Sequence, residues 1–73
     1  MKAEQILDIL KTGVYFVTFT KDNGESRTVK GSAPADAFIR TDGIVPIRED
    51  GTGAWKSFRA DAMITLIHEE LVA

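Results

Sequence analysis

The sequence predicts a mainly β fold, a small barrel of four to five strands with one N-terminal helix. Three observations predict it. A stripe of apolar residues at helical spacing opens the chain. Short runs rich in β-branched and aromatic residues fill most of the remaining chain. Turn signals built on Gly, Pro, Asn and Asp separate those runs at short intervals. A chain of 73 residues is one domain, 1–73, since compact domains cluster near ~100–150 residues. It buries only roughly 60% of its unfolded surface, so its core is small and its stability margin thin.

The helix is predicted over 3–12. Ala3, Ile6, Leu7 and Leu10 form one buried stripe, and Ile9 widens it. Glu4 in the first turn and Lys11 in the last match the helix dipole, and Gly13 is placed to end the helix in the left-handed conformation. The barrel spans 14–68. Val14 to Thr20 is its strongest strand, and Ser26 to Gly31 returns beside it. A two-residue Asn23-Gly24 turn would pair Thr18 with Val29 and so send the apolar residues of the two strands to opposite faces. A three-residue Asp22-Asn23-Gly24 loop with Gly24 left-handed instead pairs Val17 with Val29 and aligns Tyr15, Val17 and Phe19 on the buried face. Phe16 points the other way and is expected to pack under the N-terminal helix, with an exposed binding role as the lesser option.

Ser32 to Asp42 reads as a crossing loop with room for one helical turn and an apolar plug at Ala37-Phe38-Ile39. Gly43 to Arg48 is a strand in which Pro46 signals an edge or a bulge. Glu49 to Gly53 is a tight loop, and Ala54 to Arg59 returns as a strand. Ala60-Asp61-Ala62 is a turn, Met63 to Ile67 the last strand, and 69–73 a C-terminal tail. This count fits an SH3-like or Sm-like barrel.

Composition excludes several classes. With no cysteine there is neither disulfide nor thiolate zinc site, and a single histidine leaves no expected metal site. The opening segment from Met1, with Asp8 inside its apolar stretch, does not read as a secretory leader. No apolar run approaches the ~20 residues that cross a bilayer. The expectation is a soluble, intracellular protein with no membrane association and no cofactor.

Catalysis finds no support. His68, beside Glu69 and Glu70, reads as a surface histidine. Gly51-Thr52-Gly53 precedes a strand rather than a helix, so it is a hairpin loop and not a phosphate cradle. Glu49 and Asp50 lie in that exposed loop. The chain is read as no enzyme.

Binding is better supported. The net charge of −2 and the pI near 5.2 hide an uneven distribution. Residues 11–59 hold eight basic and six acidic side chains, while 60–73 carry three acids unopposed. Arg27, Lys30, Arg40, Arg48, Lys56 and Arg59, with Tyr15, Phe16 or Trp55, are the types that single-stranded nucleic acid needs, cations for phosphate and rings for stacking. The simpler reading makes Trp55 a core residue and the charges a solvated face.

Val17-Thr18-Phe19-Thr20-Lys21, Asn23-Gly24-Glu25 and the closing Trp55-Lys56-Ser57-Phe58-Arg59-Ala60-Asp61 carry a resemblance. Over residues 5–68 the chain resembles small tailed-bacteriophage proteins of unknown function with an SH3-like barrel fold. The closing segment is also distantly similar to WYL domains, Sm-like ligand-sensing barrels of bacterial regulators, although Ala60 stands where that motif has leucine. The resemblance implies a phage-encoded protein acting in the host cell cytoplasm, with Arg59 the first ligand candidate. Beside it, Arg59 and Asp61 read as a local pair that fixes a turn, as Gly24 fixes the first hairpin.

The leading expectation is a non-enzymatic phage accessory module that docks on a host or phage protein. The runner-up is a barrel binding single-stranded nucleic acid or a nucleotide through Arg59, Lys56, Trp55 and Arg48. A third is a self-associating structural protein joined through the Pro46 strand or an exposed aromatic.

Overall fold

The computed structural model describes residues 1–71. The elements run α1 (Ala3–Leu10), β1 (Tyr15–Thr20), β2 (Ser26–Ser32), β3 (Ile44–Glu49), β4 (Trp55–Arg59), a single 3-10 turn (Ala60–Ala62), β5 (Met63–His68) and a second 3-10 turn (Glu69–Leu71). Of the expected tail, Val72 and Ala73 lie outside the described residues.

Helix α1 buries Ala3, Ile6, Leu7 and Leu10, the predicted stripe. It stops two residues short of the expected end, and Lys11 becomes the cap instead of a last-turn residue. Gly13 does not take a positive φ. Thr12 makes a left-handed glycine unnecessary: its N–H and its hydroxyl both donate to the Ile9 carbonyl, at 3.0 and 2.6 Å. The absence of a side chain at Gly13 serves packing instead, since a Cβ there would sit 3.0 Å from His68 Nε2.

The first hairpin has the predicted register. Val17 faces Val29, Gly24 takes φ +85°, and the Lys21 N–H donates to the Glu25 carbonyl at 2.7 Å. Asn23 Oδ1 accepts the Glu25 N–H at 3.1 Å, which braces the loop. Val17, Phe19 and Val29 are buried. Phe16 corrects its expectation. It lies on the outer face, across from Lys30 and Ile67, and Lys30 Nζ sits 5.6 Å from its ring. The helix covers only the opposite face, so strand alternation leaves Phe16 outside.

The five strands form one antiparallel sheet in the order β4-β3-β2-β1-β5. The expected barrel is not closed. No ladder joins β4 to β5, although one 3-10 turn connects them. A bulge in β5 at Ile64, between the pairs Thr18–Thr65 and Phe19–Met63, turns the start of that strand along β1. The sheet nevertheless curls. Phe19 on β1 and Phe58 on β4 are three strands apart in the order, yet their rings stack at 5.3 Å and 16°.

The bend lies where β2 meets β3, through Gly31–Glu49, Ser32–Arg48 and the Asp50 N–H, which donates to the Lys30 carbonyl at 2.8 Å. Gly31 permits that approach, because a Cβ there would run into the Arg48 carbonyl. Beyond the corner, β3 from Ile44 to Ile47 has no partner on its β2 side. The bonds Ala60 N–H to Gly43 and Glu49 N–H to Ala54, at 2.8 Å each, place the hydrogen-bonded pairs at odd residues of β3. Pro46 is therefore in a non-bonded pair with its nitrogen turned from β4. Its missing N–H costs the ladder nothing, and β3 is an edge on that side in all but sheet order.

One core results: α1 supplies Ile6, Leu7 and Leu10, and the concave side of the sheet supplies Val17, Phe19, Val29, Val45, Ile47 and Phe58. The crossing segment is tied to α1 by the Ala33 N–H, which donates to the Leu10 carbonyl at 2.9 Å.

Candidate functional site

Alternation along the β3–β4 hairpin decides what it shows to solvent. Val45 and Ile47 of β3 and Phe58 of β4 point into the core. The outward pairs are Ile44–Arg59, Pro46–Ser57 and Arg48–Trp55. Trp55 is 55% exposed and corrects the expectation of a core residue. Phe58, three residues on and of opposite parity, already fills the inward place, so Trp55 is left outside.

The crossing segment adds a second exposed aromatic. Ala37 and Ile39 pack against the core, but Phe38 between them is 60% exposed, so the expected plug is only half a plug. Extended backbone turns alternate residues to opposite sides. The Arg40 guanidinium lies 5.3 Å from the Phe38 ring, within cation–π range. Between this segment and the hairpin runs an open groove of about 590 Å³, lined by Phe38, Ile44, Pro46 and Trp55 with Arg40 and Lys56 among its polar residues.

Of the four ligand-binding candidates, the fold brings Arg48 and Trp55 side by side as cross-strand neighbours. Arg59 shares their face at the far end of β4, and Lys56 has the opposite parity. Arg59 is bound by Asp61: Nε donates to Oδ1 at 3.2 Å and Nη2 to Oδ2 at 3.1 Å. The hydrogen bonds and charge of Asp61 raise the guanidinium pKa above its ordinary value. Both side chains are well exposed, so the pair is solvent-screened and contributes little to stability. Asp61→Ala is expected to leave the thermal midpoint within experimental error, with the circular dichroism spectrum unchanged.

The remaining cations do not form one patch with the aromatics. Lys30 is drawn to Asp50 at 3.5 Å and to Glu69 at 3.8 Å beside Phe16. Tyr15 bonds Thr12 through its hydroxyl at 2.9 Å and meets His68 edge-on, centroids 5.0 Å apart. His68 is half-buried rather than a free surface group, and its Nδ1 accepts the Glu70 N–H at 3.2 Å. Phe38 and Arg40 are the paired surface residues that sequence reasoning missed. Their signal was the alternation Ala37-Phe38-Ile39, which in an extended segment exposes the middle residue.

Among the described residues no group of three or more His, Cys, Asp or Glu is placed to hold a metal ion, and no helix is long and apolar enough to cross a membrane. Comparison with protein-family models, curated proteins and solved structures found no match.

Proposed function

We propose that this chain is a non-enzymatic interaction module that docks on a partner protein through the face built by Trp55 and Phe38. One observation carries the reading: two large aromatics stand exposed on a single groove, with Arg40 over one ring and Arg48 beside the other. Tryptophan and arginine are the residues that most often dominate protein interfaces, because they combine large apolar area with directed polar contacts. The resemblance to small phage proteins supports a phage accessory role in the host cytoplasm, with a host or phage protein as partner. Nucleic acid is the poorer fit to this face. Trp55 and Arg59 occupy opposite ends of β4, and Arg59 lines a different groove from Trp55, so stacking and phosphate pairing do not converge on this face.

The test compares the wild-type chain with Trp55→Ala, immobilised, in saturable capture from host lysate. Trp55 lies outside the core, so the variant is expected to keep the wild-type circular dichroism spectrum and melting temperature. The wild type is expected to retain a protein that the variant loses. Recovery of the same proteins by both would overturn the assignment of this face. Sedimentation of the free chain separates self-association: a Trp55-dependent dimer would replace the heterologous partner with a second copy.

A further inference from the structure

A second groove lies between the first hairpin and β4, and its chemistry differs from that of the aromatic face. We infer that it is a binding site for a compact polyphosphate-type anion. Four cations line it, Lys21 from the hairpin loop, Arg27 from β2, and Lys56 and Arg59 from β4, against one acid, Asp22. The chain as a whole carries −2, so this concentration runs against its net charge. Like charges gathered at one place repel unless an anion offsets them.

Three of the four are held by no ion pair, although Asp22 lines the same groove. Among the described residues, Lys21, Arg27 and Lys56 form no ion pair, whereas Lys30 and Arg59 do. Arg59 bonds Asp61 through Nε and Nη2, and Nη1 makes no hydrogen bond to Asp61. Asp61 thereby steadies a guanidinium that still has donors for an anion.

The site is a product of the fold. Arg27 faces Phe19 across the hairpin, and Lys56 stands two residues before Phe58 on the same face of β4. The stacked Phe19 and Phe58 rings hold the two hairpins together, which brings their cations to the rim of one hollow above an apolar floor. An apolar wall strengthens the field of charges beside it. The groove has a volume of about 580 Å³, inside the roughly 300–1,000 Å³ common for small-ligand sites. Its two aromatics are buried, at 8% and 4% exposure, so it has no exposed ring on which a nucleic-acid base could stack. The cations surround a hollow and do not track a strand, which favours a small phosphate-bearing molecule.

Titration of the isotope-labelled chain with inorganic tripolyphosphate at low salt, followed by amide chemical shifts, tests this. Saturable shifts are expected at Lys21–Arg27 and Lys56–Arg59, with the α1 amides still. Arg27→Gln and Lys56→Gln are each expected to weaken binding roughly tenfold, the order of one charge-assisted hydrogen bond. Lys11→Gln, at the end of α1, is expected to change nothing. A nucleoside triphosphate is expected to shift the same amides, which would identify the triphosphate as the recognised part. The inference is overturned if the groove amides do not move at millimolar ligand, or if shifts spread evenly over all basic residues. It is also overturned if an oligonucleotide binds more tightly and shifts Trp55, which would assign the surface to nucleic acid. The aromatic-face reading is separate: Trp55→Ala is expected to leave tripolyphosphate binding intact.

Discussion

Gly31→Ala is expected to cost about 3 kcal/mol or more in urea or thermal unfolding, the upper range for a forced steric insertion. The new Cβ meets the carbonyl of Arg48, which is backbone and cannot swing aside, and it also crowds the Ile47 side chain. The conflict falls on the β2–β3 corner, where two residue pairs and the bond from the Asp50 N–H to the Lys30 carbonyl join the halves of the sheet. Relief requires the strands to part, which removes those pairs and uncovers Ile47 and Val45. A domain of this size has roughly 4–11 kcal/mol of total stability on the usual per-residue range, so the variant is expected to be partly unfolded at 37 °C. Gly24→Ala is the control. Gly24 needs its positive φ but has open space around it, so an alanine there meets conformational strain alone, about 1–2 kcal/mol. Equal losses at the two glycines would show that the corner tolerates separation and that the close approach at Gly31 is not a constraint.

The contrast between these glycines also marks what was readable in the sequence. Gly24 belongs to a local problem, in which the parity of Val17 and Val29 and the length of one loop select a register. The stripe of α1 is local in the same sense. Gly31 carries no motif; its role exists only because β3 arrives there from more than ten residues downstream. Closure of the barrel failed as an expectation for a related reason. Strand count and turn spacing are properties of the chain, whereas a ladder between β4 and β5, at the two ends of the sheet order, depends on how far the folded sheet curls.

Trp55 shows a different limit. Large aromatics are usually well buried, and that weight overrode the parity of Trp55 and Phe58, which in a strand cannot both face inward. Phe16 was subject to the same parity and lies outside for the same reason. Of the candidate ligand residues, Arg48, Trp55 and Arg59 are exposed and Lys56 is half-buried, and their grouping was not legible. Arg27 and Lys56 meet across a groove only after the sheet has curled, and Arg40 finds Phe38 only in the folded crossing segment.

That curl depends on a side-chain contact rather than on hydrogen bonds, and Phe58→Ala is expected to expose this. Strand β4 is laddered to β3 alone, so beyond the β2–β3 corner no ladder holds β4 over the first hairpin. Phe58 does so, 4% exposed and stacked on Phe19 at 5.3 Å. Truncating a buried phenylalanine typically costs about 3–5 kcal/mol through lost transfer energy and the cavity left behind. Here that is most of the stability available to a chain of this size. Phe58→Leu keeps most of the volume and is expected to lose less than half as much. Hydrogen exchange gives an independent reading in the wild type. The amides of Lys56 and Phe58 bond to β3 and are expected to be protected, while those of Trp55, Ser57 and Arg59 point from the free edge and are expected to exchange fast. If Phe58→Ala loses less than about 1 kcal/mol, or if the Trp55, Ser57 and Arg59 amides are protected, β4 is held by a ladder after all. The open groove beside Arg27 and Lys56 would then have to narrow, and the anion site would lose its geometry along with the open edge.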